Sequence, residues 1–331
     1  MTRQGIATVA RQEFTIRIRA GRWRWLLGAW FVALLLFTLF VHFVVEQTDP
    51  NAANQGVVVY GSLTLLVLGL ALLIVPMLSA QSVNGDRERG TLATLQVSLL
   101  TAGDIAVGKL VAAWGTALVF LALTLPLDLY AMALGGVPLR RVVVVTLVLA
   151  RLLGTVAALS LCLSALLART TTSGVLAYLL VFALTIGTLI TFGLATALTN
   201  EDYQTTEYSG TRSRPDKVWW VLAPNPFVVV ADAAPQLDKE SAAERQARLR
   251  REARGEYRPD LRDSDPLGAI GRGVRTLRNA PRDSGPEDTR HRPLWPFGLA
   301  VDVAVGGAAL WLTARRLQTP SRDLPRGQRV A

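Results

Sequence analysis

The chain has 331 residues, of which 51% are hydrophobic, a formal net charge of +10 and a mean hydropathy of +0.34. In a soluble protein that charge would suggest nucleic acid as a partner, but the apolar residues come in blocks of about 20 or more, the length a helix needs to cross a bilayer. Nucleic acid is therefore excluded as a partner, and one cysteine, Cys162, excludes a disulfide framework or a metal-ligand spacing.

Residues 1–24 carry Ile6, Ala10, Phe14 and Ile18 at four-residue intervals, with Val9 beside them and arginines at 3, 11, 17, 19, 22 and 24. This spacing predicts a helix lying in the membrane interface, with the apolar side down and Arg11 and Arg17 among the headgroups. Apolar runs at 25–45, 57–80, 105–134, 142–167, 174–199 and 295–314 predict six membrane-spanning helices. The first run lacks a short hydrophobic region followed by a small-residue cleavage site, so it is expected to be retained. Pro76 and Pro126 fall inside spans and predict kinks rather than breaks.

Between spans two and three, Asp86, Arg87, Glu88 and Arg89 form an uninterrupted charged run, and Leu92, Leu95 and Leu99 follow at helical spacing. The run must stay in water, while the leucines predict a short helix at about 86–98 that turns charges to solvent and leucines to the protein. The following "GDIAVGKL" satisfies GxxxxGK, but Leu110 stands where magnesium chemistry needs Ser or Thr, and no strand pattern precedes it. Thr101 and Asp104 instead read as a capping box, with Lys109 snorkelling to the headgroups.

After residue 199 the sequence turns polar. The 200–294 segment holds 17 Lys/Arg and 16 Asp/Glu. Within it, residues 218–234 are apolar but short, and Pro224 and Pro226 oppose a full crossing. With Asn225 and Phe227 they predict a re-entrant or interfacial segment. A solvated charged helix follows at about 240–256, and a short helix interrupts the loop-rich stretch before span six.

Fourteen arginines lie in residues 1–24, 81–104, 168–173 and from 315 onward, whereas the short loops on the opposite side carry only Arg140 and Arg141. This bias places both termini in the cytoplasm, the 200–294 segment outside, and a basic tail at 315–331 inside. Inside the spans, Asp128, Arg151, Asp302 and His42 fall at similar depths. Because an unpaired arginine there is costly, Asp128 is expected to pair with Arg151, with Asp302 and His42 as rivals.

The order Glu88, "GTL" at 90–92, Leu95, Ser98, Ile105 and "GK" at 108–109 resembles the signature of the ABC-2 type permeases, the membrane subunits of a class of ABC exporters. The resemblance implies an all-α polytopic fold with six transmembrane helices, an N-terminal interfacial helix and a cytoplasmic coupling helix. It also implies that Asp86, Arg87, Glu88, Arg89, Gly90, Thr91, Leu92 and Leu95 meet a separate ATPase. ATP and Mg would be bound by that partner, with no cofactor in this chain. The permease would work in the cell membrane among lipids, as a homodimer or paired with a paralogue, and "PNPF" at 224–227 is similar to the family's re-entrant segment. Two other readings use the same spans: a membrane-embedded transferase or protease, and a scaffold without transport. Neither His42 nor His291 has a matching nucleophile or metal pattern, which disfavours the enzyme.

Overall fold

A computed structural model describes residues 2–19, 22–48, 54–92, 100–205, 208–235, 246, 249–250, 253–254, 265–278 and 293–318. The fold is all-helical in its bulk, and six helical segments are long and apolar enough to cross a membrane. In chain order the helices are α1 (Arg3–Arg19), α2 (Arg22–Thr48), α3 (Gln55–Ser79), α4 (Asn84–Glu88), α5 (Ala102–Ala122) and α6 (Leu125–Ala133). They continue with α7 (Leu139–Leu166), α8 (Thr170–Phe182), α9 (Thr188–Leu198), α10 (Pro226–Ala233), α11 (Pro266–Arg278) and α12 (Trp295–Arg316). Most of the charged helix expected at 240–256 and the tail beyond 318 lie outside the described residues.

The core is built from α3 and α7, whose apolar residues face protein on several sides. Leu63, Leu68, Val145 and Leu153 are buried there with Trp30 and Leu34 of α2. Burying a leucine or valine of this kind contributes roughly 1.5–3 kcal/mol in water, whereas in lipid the gain comes from close packing. Helices α8 and α9 are mostly outward-facing, as Leu179, Ile190 and Leu194 show. At one end of the bundle Leu317, after α12, packs with Val83, Leu92, Ile105 and Ala165. Arg17 of α1 reaches Leu78 at the same end, so both described chain ends gather there.

Three local details differ from the sequence expectations. Pro126 accompanies a break rather than a kink. α5 stops at Ala122, Leu123 and Thr124 form a turn, and α6 restarts with Pro126 in its first turn. Proline has no N–H for the Ala122 carbonyl four residues earlier, and at the turn the Thr124 amide and hydroxyl both approach the Leu121 carbonyl (3.1 and 2.7 Å). The fifth span is not a uniform α-helix, because α8 and α9 are joined by a π turn at Ala183–Gly187 in which Thr188 N–H bonds the Ala183 carbonyl. The polar segment opens with two short antiparallel strands, Asn200–Thr205 and Tyr208–Ser213, paired from Asn200↔Ser213 to Thr205↔Tyr208.

Helix α1 also departs from expectation. It runs alongside α5, with Gly5 against Asp104, Val9 against Gly108 and Phe14 against Gly115. A Cβ on Gly108 would come within 2.6 Å of Val9, so the missing side chain is what admits the contact. Val9 and Ala10 are buried against protein, and Phe14 is covered by α5 rather than by lipid. Arg17 turns toward the protein. Its guanidinium donates to Thr116 Oγ1 and the Leu78 carbonyl, each at 3.1 Å. Burial pulls Arg17 below its ordinary pKa, with the Glu13 carboxylate acting in the opposite sense. Arg11 and Ile18 remain exposed.

Candidate functional site

The charged run after α3 is built into a junction of four elements. Helix α4 covers Asn84–Glu88 and stops where Gly90 adopts φ +71°, a left-handed conformation that glycine adopts without a Cβ clash. Residue Leu92 is then buried among Val83, Ile105 and Leu161. The remainder of the expected helix, including Leu95 and Ser98, lies outside the described residues.

Lys109 holds this segment from behind. Rather than snorkelling, its side chain is fully buried and contacts Glu13 Oε1 of α1 and Asp86 Oδ2 of α4, both at 2.5 Å. The Ser82 carbonyl is its third acceptor, at 2.8 Å. An ammonium has three donors, and all three are used; a buried lysine is tolerable only when paired in this way. Asp86 also accepts from Arg89 (3.0 Å), and Thr91 donates to its carbonyl (3.2 Å).

The same segment is tied to the next turn of the chain. Asn84, buried, accepts from Ser164 Oγ (2.9 Å) and donates to Ser173 Oγ (2.7 Å), while Ser164 Oγ accepts the Val83 and Asn84 amides. Glu88 accepts from the Thr170 amide and hydroxyl at 3.0 and 3.2 Å, capping α8 from a distant part of the chain. A carboxylate at a helix N-terminus satisfies free N–H groups and complements the dipole. Arg87 is half-buried, and Arg89, Gly90 and Thr91 are exposed beside it. The segment is thereby bonded to α1, α5 and α8.

A second polar site surrounds Asn225. A short-turn region, Pro215–Lys217 and Trp219–Leu222, leads into α10, and a fork from Arg214 holds the Asp216 carboxyl below its usual range. Pro224 and Phe227 are half-buried, while Asn225 and Pro226 are buried. Asn225 Oδ1 accepts from the Phe227 and Val228 amides (2.9 and 3.3 Å), capping α10, and its Nδ2 donates to the Thr185 carbonyl (2.7 Å) and Thr188 Oγ1 (2.8 Å). Asp232, fully buried, ends the same helix by accepting from Arg275 and from the amides of Leu294 and Trp295, so it caps α12.

The expected Asp128–Arg151 pair does not form. Asp128 accepts from Thr124 Oγ1 (3.3 Å), and no ion pair joins it to Arg151 among the described residues. The two face different neighbours: Asp128 acts electrostatically on Tyr60 of α3, and Arg151 on Asp302 of α12. Arg151 acts electrostatically on Asp302, whose Oδ2 is buried without a hydrogen bond, and Thr155 Oγ1 bonds the Asp302 carbonyl (3.2 Å). His42 stands apart, 3.8 Å from Glu46 and edge-on to Tyr130. Sequence reasoning missed Glu13, Asn84, Ser164, Ser173 and Asp232. Their one signal was a polar residue in or beside an apolar run.

A protein-family profile described as ABC-2 family transporter protein matches residues 7–252 of the chain. The chain belongs to this family. Curated proteins gave no match. An ABC-2 transporter protein with six bilayer-length helices is a multi-pass membrane subunit of an ABC transporter, and membership implies an ABC-type ATPase as partner. The family is a transport family, so the permease reading stands above the enzyme and scaffold readings. No group of three or more His, Cys, Asp or Glu residues suited to a metal occurs among the described residues.

Proposed function

We propose that the chain is the permease half of an ATP-driven exporter in the cell membrane. Both termini are cytoplasmic, and it pairs with a second copy or a close paralogue and with two copies of a separate ATPase that binds ATP and Mg. Closure of the ATPase pushes the 84–92 segment, and the spans respond by opening a path for substrate. The arginine bias supports the orientation, and the two prolines with the buried α10 support a re-entrant segment on the outer side.

The observation that carries the reading is the Lys109 junction. A segment meant only to connect two spans would need no buried ammonium bridging two other elements, whereas a segment that receives force from a partner must not give way locally. Lys109, Asn84 and Glu88 make it rigid, and Arg87, Arg89, Gly90 and Thr91 are left on its outer surface for docking.

Co-purification with the ATPase, followed by substrate-stimulated ATP hydrolysis, tests this. Arg87→Ala and Arg89→Ala strip charge from this surface, Arg89→Ala giving up only the Asp86 ion pair on its exposed side, whereas any side chain at Gly90 would be strained at φ +71°. Both variants should insert into membranes normally and lose stimulation. Normal stimulation in both would end the coupling reading.

A further inference from the structure

The fifth span, the chain entering α10 and the start of α12 border an open groove of about 460 Å³, walled by Gly187, Thr188 and Thr191 on one side and Trp220, Pro224 and Phe297 on the other. Its two walls meet at Asn225, which follows Pro224 directly and donates to Thr185 and Thr188. The bonded Thr185 carbonyl belongs to the π turn. Such turns insert one residue, turning all that follows by about 100° relative to an unbroken α-helix. Asn225 donates to the Thr185 carbonyl, which the Thr188 hydroxyl also approaches at 3.0 Å, so a side chain from the opposite wall is bonded to the turn that orients α9.

The groove's chemistry selects its occupant. None of the described residues lining it is charged. Thr188 and Thr191 donate their hydroxyl protons to the Leu184 and Gly187 carbonyls (2.9 and 2.8 Å), so the lone pairs that remain can only accept. Trp220 and Phe297 are still 58% and 47% exposed, so the groove opens sideways. Thr188 and Thr191 lie about 15 and 10 Å from the Leu198 end of the span at 1.5 Å per residue, and Phe297 is in the first turn of α12, so the opening faces the half of the bilayer nearer the 200–294 segment. A carboxylate or phosphate would meet hydroxyl lone pairs there without a donor, and an ammonium would find no counter-charge.

We propose that this groove binds an uncharged amphiphile, an apolar body carrying a hydroxyl or amide N–H that Thr188 and Thr191 accept, and that Asn225 is the positioning residue holding its walls in register. Calling the occupant a cargo rests on the permease reading. Binding does not, and it is measured here without ATPase or transport, so either idea can fail alone.

The test uses a photoreactive long-chain alcohol and the matching carboxylate, each presented in phosphatidylcholine vesicles holding the full chain. The alcohol should cross-link within residues 183–191, 220–224 or 297–301, and the carboxylate at least about tenfold less. Asn225→Asp keeps an acceptor for the Phe227 and Val228 amides but removes the Nδ2 donors, so alcohol labelling should fall about 3- to 10-fold, the factor for one net hydrogen bond. Thr191→Leu fills the groove from its outward side without touching Asn225, and it should abolish labelling even if the first variant folds poorly. Equal labelling by both probes, labelling spread evenly over the outward face of α8 and α9, or persistence in Thr191→Leu would overturn the site. So would chain-to-chain cross-links through Thr191 and Trp220 that exclude the alcohol. Unchanged labelling in a folded Asn225→Asp would overturn the positioning role.

Discussion

Lys109 and Asp86 form a buried contact across 23 residues of sequence, and the same ammonium reaches Glu13 on the N-terminal helix. Removing the lysine leaves two partly buried carboxylates without their ammonium, Asp86 keeping only Arg89; breaking a buried pair costs about 3–5 kcal/mol, and the partial exposure here puts the expected loss toward the low end. Lys109→Met is therefore expected to lower the melting temperature in detergent sharply. The triple variant Glu13→Gln, Asp86→Asn, Lys109→Met should recover most of the loss, because the three groups of the junction are then all neutral. A triple variant as unstable as the single would show that volume rather than charge holds the junction.

Glu88 caps α8 through the Thr170 amide and hydroxyl. Glu88→Gln keeps a carbonyl acceptor for the amide and should lose a fraction of a kcal/mol. Glu88→Lys places a cation on the positive end of the helix and should lose about 1–2 kcal/mol. Urea-dependent unfolding in detergent, read beside ATPase stimulation, separates the two duties of this residue. If coupling is lost in Glu88→Gln at unchanged stability, Glu88 also touches the ATPase directly.

Contact between α1 and α5 depends on Gly108 and Gly115, whose added Cβ atoms would meet Val9 at 2.6 Å and the Phe14 ring at 2.5 Å. Gly108→Ala should cost about 1–3 kcal/mol by overpacking, and Val9→Ala in the same chain should relieve part of it. Protease sensitivity of residues 3–19 offers a direct measure. A Gly108→Ala chain as resistant as the wild type would mean that α1 can slide along α5 without penalty.

For the intramembrane charges, no ion pair joins Arg151 to Asp128 or to Asp302 among the described residues, and Arg151 acts on Asp302 only at longer range. Arg151→Leu should destabilise the chain by leaving Asp302 without a counter-charge, and Asp302→Asn added to it should restore folded yield. Asp128→Ala added instead should restore nothing. Yield of monodisperse protein after purification distinguishes the pairs, and rescue by Asp128→Ala alone would return the partnership to Asp128.

The number of spans, and the gathering of both described chain ends with the charged run at one end of the bundle, were legible from residue order alone. Hydrophobic length and arginine distribution are one-dimensional quantities, and a bilayer imposes them directly on the sequence. The Thr101–Asp104 capping box was legible for the same reason, since its four residues are adjacent in the chain, and it is present in the structure. Rotation about each helix axis was not legible. In lipid a nearly all-apolar helix has no polar face to orient it, so small-residue contacts such as Val9 on Gly108 decide which way it turns. That rotation sets Asp128 and Arg151 against different neighbours and directs Lys109 inward to Glu13 and Asp86 rather than outward to the headgroups. It also lets Asn225 reach a π turn 40 residues earlier in the chain, where its amide bonds the Thr185 carbonyl. Each of these partnerships joins residues far apart in sequence, and a side chain buried where water cannot reach must find its partner in space rather than along the chain.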